Sequence, residues 1–379
     1  MTNAEDVMKL VNSALGSDVL KMATAPEFSV DYIPTGVLPM DILLHGGLPR
    51  GRFVEIYGDY SSLKSYIGLS AIAQVQKRGG VAAVIDTEHS FDEEWAKSIG
   101  VDTKALIIQR PENGELAIDT AEALIRAKVD LIVFDSIAAA LPKAEQEKRL
   151  YGEKVQPGRL AYLMSVGLRK LTAANEHTSM LWINQTRLNI GITFGSPEAI
   201  PGGKSMPFYA SFRISMKKVG KITRSVKQFD GEKWADTKEQ IGQKFKAEVT
   251  KSKLSRPFRD VFFIWNLINA EVSNVEFMIA QGLELGLINQ KGNSWSFENL
   301  KAVGRQKFLD ALTADHSACE NLENEIRRYY SLPLIASSPK ATSVPKGTGG
   351  STAGGTENTS ARTSTSGKRR TIKKSRRER

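Results

Sequence analysis

The 379-residue chain predicts an α/β protein with a mainly parallel central sheet. Three observations carry that expectation. From Phe53 onward, short apolar runs rich in Val, Ile and Phe alternate with segments of helical periodicity. Those runs are continuous rather than alternating, as in strands buried on both faces. One strand–helix junction, Gly58-Asp59-Tyr60-Ser61-Ser62-Leu63-Lys64-Ser65, spells a phosphate-binding loop with one letter changed.

Taken in order, Val7, Met8, Leu10, Val11, Ala14 and Leu15 recur at helical spacing, and Gly16 is a stop signal. So short a helix needs a surface, either its own core or a neighbouring subunit. Strands are expected at Phe53–Tyr57, Val81–Asp86, Leu131–Asp135 and Met180–Asn184. Helices are expected at Ser65–Lys77, Asp92–Ile99, Ala117–Ala127 and Leu160–Ala174. Strands near Phe212–Met216, Phe245–Val249 and Val261–Trp265 come without helices between them and predict an antiparallel extension. Val272–Leu287 and Lys301–Tyr330 read as mainly helical parts of a small α/β lobe. The divisions are an arm at 1–35, a core at 36–270, a C-terminal lobe at 271–335 and a tail at 336–379.

The formal charge is +10, and the tail carries it. Residues 336–379 hold eleven Lys or Arg against Glu357 and Glu378, leaving about +1 for the rest. This stretch is rich in Ser, Thr, Gly and Pro and ends in the basic cluster Lys368–Arg379, so it is expected to be disordered. The single cysteine, Cys319, excludes an internal disulfide framework and fits a reducing cytosol, with an inert buried thiol as the plain reading. No apolar run reaches the length of a membrane span, and residues 1–6 lack the order of a signal peptide. The four histidines and one cysteine show no metal-ligand spacing.

A phosphate-binding loop follows a buried strand and opens a helix, so that backbone N–H groups and the helix N-terminus face the phosphates. The context here is right, with Lys64 placed for the terminal phosphates and Ser65 for Mg²⁺. Leu63 stands where the pattern has its last glycine. An ordinary strand–turn–helix with a surface lysine is the competing reading. Two further strands end in acids, Ile85-Asp86-Thr87-Glu88-His89 and Leu131-Ile132-Val133-Phe134-Asp135. One of these acids can contact Mg²⁺ and another can orient a water, at strand ends where α/β sheets bind ligands.

Together these segments resemble the RecA family of homologous-recombination ATPases, from about Ile33 to Leu332. The matching blocks are Gly51–Gly58, Asp86–His89, Ile132–Ser136, Ile183-Asn184-Gln185-Thr186-Arg187 and Phe208-Tyr209-Ala210-Ser211. Leu63 resembles the large-bacteriophage branch, where that glycine is also replaced by a bulky residue. The resemblance implies a RecA-like ATPase core whose cofactors are ATP and Mg²⁺. It implies that Gly58, Ser61, Ser62, Leu63, Lys64 and Ser65 form the phosphate loop. Glu88 would position the attacking water, Asp135 would be the second-motif acid, and Gln185 would sense the γ-phosphate. Trp95 would stack on adenine, with Asp92 for the amino group, whereas the residues alone favour Trp95 as a core position. Lys251 and Lys253 would reach a neighbouring subunit's ATP, although without the family a lysine pair at a strand end reads as a solvated face.

Residues 188–204 are long, apolar and Gly-rich for a loop. A mobile surface loop is the bland reading. By resemblance this is the second DNA-binding loop, with Arg187, Ile190, Gly191, Gly202 and Gly203 as contacts. The first loop would lie at 151–159, followed by a helix bearing Ser165 and Arg169 toward phosphates. Such contacts predict sequence-independent, salt-sensitive binding. The first loop has its own sequence, with Pro157 and Arg159. Pro207 replaces a usually basic residue before Phe208, beside the subunit interface. The basic tail replaces an acidic one. The implied protein is a cytoplasmic, DNA-stimulated ATPase of a bacterial or phage-infected cell. It would form helical filaments on single-stranded DNA and exchange strands with homologous duplex. A mediator or single-strand-binding protein would be a further partner. The rivals are a DNA-coating filament that hydrolyses ATP poorly because of Leu63, and a regulatory ATPase without strand exchange.

Overall fold

The computed structural model describes residues 3–147, 158–188, 198–229, 231 and 233–335. The tail, most of the first loop, and Ile190 and Gly191 of the second lie outside the described residues. Helix α1 (Ala4–Leu15) is capped by the Asn3 side chain and closed by Gly16 in the left-handed conformation, as the periodicity predicts. None of its residues is buried against the rest of the chain. Helix α2 (Leu38–Leu43) is wholly buried.

Among the described residues, nine strands form one sheet. They are β1 (Phe53–Gly58), β2 (Ala82–Asp86), β3 (Ile107–Gln109), β4 (Leu131–Asp135), β5 (Ser179–Gln185), β6 (Phe212–Phe229), β7 (Trp234–Ser252), β8 (Asp260–Asn266) and β9 (Glu271–Val272). Their spatial order is β9-β8-β7-β6-β1-β5-β4-β2-β3. The run from β6 to β3 is parallel, and β7, β8 and β9 extend it antiparallel. Helices α3 (Lys64–Lys77), α4 (Glu93–Ile99), α5 (Gly114–Arg126) and α6 (Arg159–Ala174) connect the parallel strands. Two apolar clusters result. One contains Ile56, Ile72 and Leu181, the other Ile132, Phe134 and Trp182.

The sequence expectation falls short at three places. β3 is absent from it, because its Ile107 and Ile108 are exposed and give no buried-run signal. The strands expected near Phe212–Met216 and Phe245–Val249 are the roots of a far longer hairpin. Beyond Met216 its two strands pair only with each other for most of their length, and backbone pairing rather than burial holds them. In the C-terminal lobe, β10 (Asn289–Lys291), β11 (Ser294–Phe297) and β12 (Leu300–Val303) form a small antiparallel sheet where residues 301–303 read as helical. That sheet packs with α8 (Asn274–Glu284), α9 (Arg305–Ala314) and α10 (His316–Tyr329) around Phe277, Trp295, Phe308 and Leu322, joined by Leu38 and Ile42 of α2. Cys319 is half-buried there, and burial raises its thiol pKa, which keeps it protonated and inert. Among the described residues no helix is long and apolar enough to cross a membrane.

Candidate nucleotide site

β1 delivers the chain at Gly58 into a tight loop that ends on the N-terminus of α3. Ser61 (φ 50°) and Leu63 (φ 65°) are both left-handed, so Leu63 occupies a conformation that glycine adopts without strain. Its side chain is half-buried and packs against the core cluster. The Lys64 ammonium is turned back into the loop. It donates to Gly58 O (3.1 Å), Asp59 O (2.8 Å) and Ser62 Oγ (3.1 Å). Burial lowers the Lys64 pKa, opposed by the nearby carboxylates of Asp135, Glu88 and Asp59. Ser62 Oγ donates to Asp59 O at 2.7 Å, which fixes the loop's curvature.

The ends of β2, β4 and β5 converge beside this loop. Ser65 Oγ donates to Asp135 Oδ2 at 2.6 Å. Burial pushes the Asp135 carboxyl up to about 6, and Glu88 and Asp86 add to the rise. Glu88 Oε1 accepts from Ser136 Oγ and, at 2.6 Å, from Gln185 Nε2. Asp86 is otherwise engaged, accepting from the backbone of Ser90 and Phe91 and from Arg110. Five residues singled out in the sequence therefore meet in space: Lys64, Ser65, Glu88, Asp135 and Gln185.

Ser61 to Ser65 also line a cavity of about 540 Å³ walled by Trp95, Tyr66, Phe245 and Trp265. Trp95 is 37% exposed and lies edge-on to Trp265 (6.3 Å), which lies edge-on to Tyr66 (4.6 Å). The Trp95 ring therefore stands at the cavity wall rather than fully packed in the core. Asp92 caps α4 through Trp95 N (2.6 Å), which engages one of its two oxygens. The sequence reading names neither Tyr66 nor Trp265 as a site residue. Trp265 comes from β8, far along the chain, and only the sheet order brings it here. Among the described residues no group of three or more His, Cys, Asp and Glu side chains is placed to hold a metal. The Ser65–Asp135 pair instead suits Mg²⁺, which takes most of its ligands from phosphate and water.

The other singled-out residues lie elsewhere. Lys253 N donates to Ser211 O, and Ser211 N donates to Phe53 O, which places the lysine pair at the opposite end of β1 from Gly58. Five residues of strand separate the two, about 17 Å. Lys251 Nζ donates to the carbonyls of Pro207, Phe208 (3.1 Å) and Ala210 (2.9 Å), and Lys253 Nζ to that of Phe208 (2.6 Å). The short helix α7 (Ser205–Tyr209) presents Phe208 at 71% exposure. Burial and the neighbouring Lys253 and Arg213 lower the Lys251 pKa to about 8.

On α6, Arg169 is exposed and Ser165 half-buried, one turn apart, with exposed Tyr162 a turn before them. The strand pair Arg187–Leu188 and Glu198–Ala199 closes the base of the second loop. Gly202 and Gly203 are left-handed and press on neighbours. A Cβ at Gly202 would lie 2.9 Å from Ile137, and one at Gly203 would lie 2.6 Å from Ala161. Packing thus accounts for both glycines, and of the two only Gly203 is exposed.

A phosphate loop on a parallel sheet, with two acids and a glutamine at adjacent strand ends, defines a nucleotide-hydrolysing P-loop domain. A family profile described as the RecA N-terminal domain matches residues 3–268. Protein RecA of Cytophaga hutchinsonii is 39% identical over 329 residues, 85% of this chain and 88% of its own length. Protein RecA of Bifidobacterium longum is 38% identical over 83% of this chain and 76% of its own, and that of Clostridium tetani 35% over 89% and 96%. The chain belongs to the RecA family.

Proposed function

We infer that the chain is an ATP-dependent DNA recombinase: a DNA-stimulated ATPase that forms filaments on single-stranded DNA, pairs it with homologous duplex and exchanges strands. The observation that carries this is the hydrogen-bonded set Ser65–Asp135 and Ser136–Glu88–Gln185 beside a looped-back Lys64. Catalysis of phosphoryl transfer is largely positioning and charge stabilisation, and each part has a candidate. The loop N–H groups and the α3 N-terminus cradle the phosphates, while Lys64 exchanges carbonyl partners for phosphate oxygens. Glu88, steadied by Ser136, orients the attacking water. Gln185 exchanges Glu88 for the γ-phosphate. The base lies between Trp95 and Leu63, with the free Asp92 oxygen for its amino group.

Ser65 directly and Asp135 through water would hold Mg²⁺, which when bound neutralises charge on the phosphates. Lys251, Lys253 and Phe208 act on the adjacent protomer in the filament. Ser165, Arg169, Arg187 and the second loop, including Ile190, Gly191, Gly202 and Gly203, contact DNA. The basic cluster Lys368–Arg379 adds a duplex contact, and a chain ended at residue 335 is expected to lose duplex affinity at low salt. A cytoplasmic setting and a mediator or single-strand-binding partner complete the reading.

ATP hydrolysis with and without single-stranded DNA, beside Lys64→Ala, tests it, followed by a strand-exchange assay. No stimulation by DNA in the parent chain would point to a passive coating filament. Stimulation without exchange would leave a regulatory ATPase.

A further inference from the structure

Between the two functional ends of β1 lies a polar junction that the hydrolytic chemistry does not use. Glu55, at the middle of β1, is 0% exposed. Its Oε1 accepts from Asn184 Nδ2 at 2.9 Å, and its Oε2 accepts from Arg213 Nε. The second Nδ2 hydrogen of Asn184 goes to Pro201 O at 3.0 Å, in the returning segment of the second loop. Asn184 Oδ1 accepts the backbone N–H of Gln185 at 3.0 Å. The amide is fully satisfied in one orientation only, since the flipped form would set its oxygen against a carboxylate and a carbonyl. Arg213 in turn lies over the Tyr57 ring (5.0 Å), and Tyr57 Oη donates to Thr250 Oγ1 (2.9 Å), next to Lys251.

We propose that Asn184, anchored by the buried Glu55, is a positioning residue that ties the backbone of Gln185 to the second-loop segment at Pro201, so that ATP state is read at the DNA-binding face. This rests on the functional reading above. Gln185 leaves Glu88 when a γ-phosphate arrives, and its backbone is bonded to Asn184. The other side of the same amide holds Pro201, so one side chain feels both ends. A buried, fully satisfied junction suits this role because breaking any one bond leaves an unpaired polar group, which makes intermediate arrangements costly.

The test measures binding of fluorescein-labelled oligothymidine by anisotropy, without nucleotide and with a slowly hydrolysed ATP analogue, on full-length chains. In Asn184→Ala the gain in DNA affinity on adding the analogue is expected to shrink at least about tenfold. Analogue affinity without DNA is expected to move less than about twofold. Asn184→Ser, which keeps one hydroxyl for Glu55, substitutes if the alanine chain does not fold. Met180→Ala, buried on the same strand outside the junction, serves as the stability control and is expected to keep the gain at a similar loss in melting temperature. In a Gln185→Ala background, Asn184→Ala is expected to add nothing further. An unchanged gain in Asn184→Ala, an equal loss in Met180→Ala, or effects that multiply in the double variant would each overturn the proposal. A parent chain showing no gain at all would overturn the functional reading and this proposal with it.

Discussion

The two ends of β1 are built to different degrees of completion. At its carboxyl end, Ser65 is already bonded to Asp135 and Gln185 to Glu88, with Lys64 held in the adjoining loop, all within one chain. At its amino end, Lys251 and Lys253 rest on carbonyls of α7 and of Ala210 just after it, while Phe208 stands in solvent. Both ammonium groups are held on backbone carbonyls at the end of β1 that lies about 17 Å of strand away from the phosphate loop of the same copy. On the function proposed above, one end is a site and the other is half of one. Heterologous stacking, in which the amino end of one copy meets the carboxyl end of the next, would complete both and generate a filament rather than a closed pair.

The largest expected effects test that asymmetry. Lys64→Ala should lower DNA-stimulated turnover by about a hundredfold or more, the scale for removing a donor aimed at developing charge. Lys253→Ala should cost about a thousandfold if it acts as a finger from the neighbour. Neither variant alone distinguishes the ends, but mixing them does. In an equal mixture of the two inactive chains, about a quarter of the junctions pair an intact phosphate loop with an intact lysine, so activity should return to roughly that fraction. No recovery on mixing, in a filament shown to form, would place Lys253 outside the neighbour's site.

Leu63 sharpens the carboxyl end. Its left-handed backbone costs about 1–2 kcal/mol. Burying half of a leucine returns about 1 kcal/mol, and avoiding the unfolded-state entropy of glycine returns a similar amount. These terms nearly cancel, so Leu63→Gly should shift the urea midpoint little. Leu63→Ala keeps the strain and loses the contact, so it should be the less stable of the two by roughly 1 kcal/mol. Both should raise the KM for ATP, because Leu63 walls the base cavity. An alanine variant more stable than the glycine one would show that the strain is not there.

The carboxyl end was the more legible in the sequence. Phe53–Gly58, Ala82–Asp86 and Leu131–Asp135 are buried on both faces, so apolar runs ending in Gly or Asp marked both the strands and the ends where chemistry gathers. The resemblance suggested the roles of Glu88 and Gln185, and the fold places the two side chains together. Tyr66 and Trp265 were not legible, since an aromatic wall made by distant elements leaves no spacing to read. The long hairpin was missed for a related reason. Its exposed strands carry Lys217, Lys221, Arg224 and Lys238 rather than an apolar stripe, and hydrogen-bond pairing leaves no compositional trace. Asn184 looked like one letter of a motif until its three partners were visible.

The smallest expected effect on turnover comes from a buried acid that belongs to neither end of β1, and it calibrates the others. Asp41 on α2 accepts from Thr35 N and Oγ, both at 2.7 Å, and from Arg327 of α10 at 3.1 Å, which fastens the C-terminal lobe to the core. Burial pushes its carboxyl up to about 6, against the pull of Arg327. The folded state therefore keeps this proton to higher pH than the unfolded chain, whose aspartates titrate near about 3.9. Between those values the folded form binds more protons, so stability falls as pH rises through about 4 to 6 and is level above. The full difference is at most about 3 kcal/mol. Asp41→Asn leaves Arg327 short of a partner and lowers stability overall, so the slope, not the level, is the readout. Melting temperatures across that window should fall less steeply in Asp41→Asn than in the parent, while DNA-stimulated turnover per folded chain is equal. Parallel slopes would assign the pH dependence to other carboxyls. A loss of turnover would show that the lobe joint reaches the ends of β1 after all.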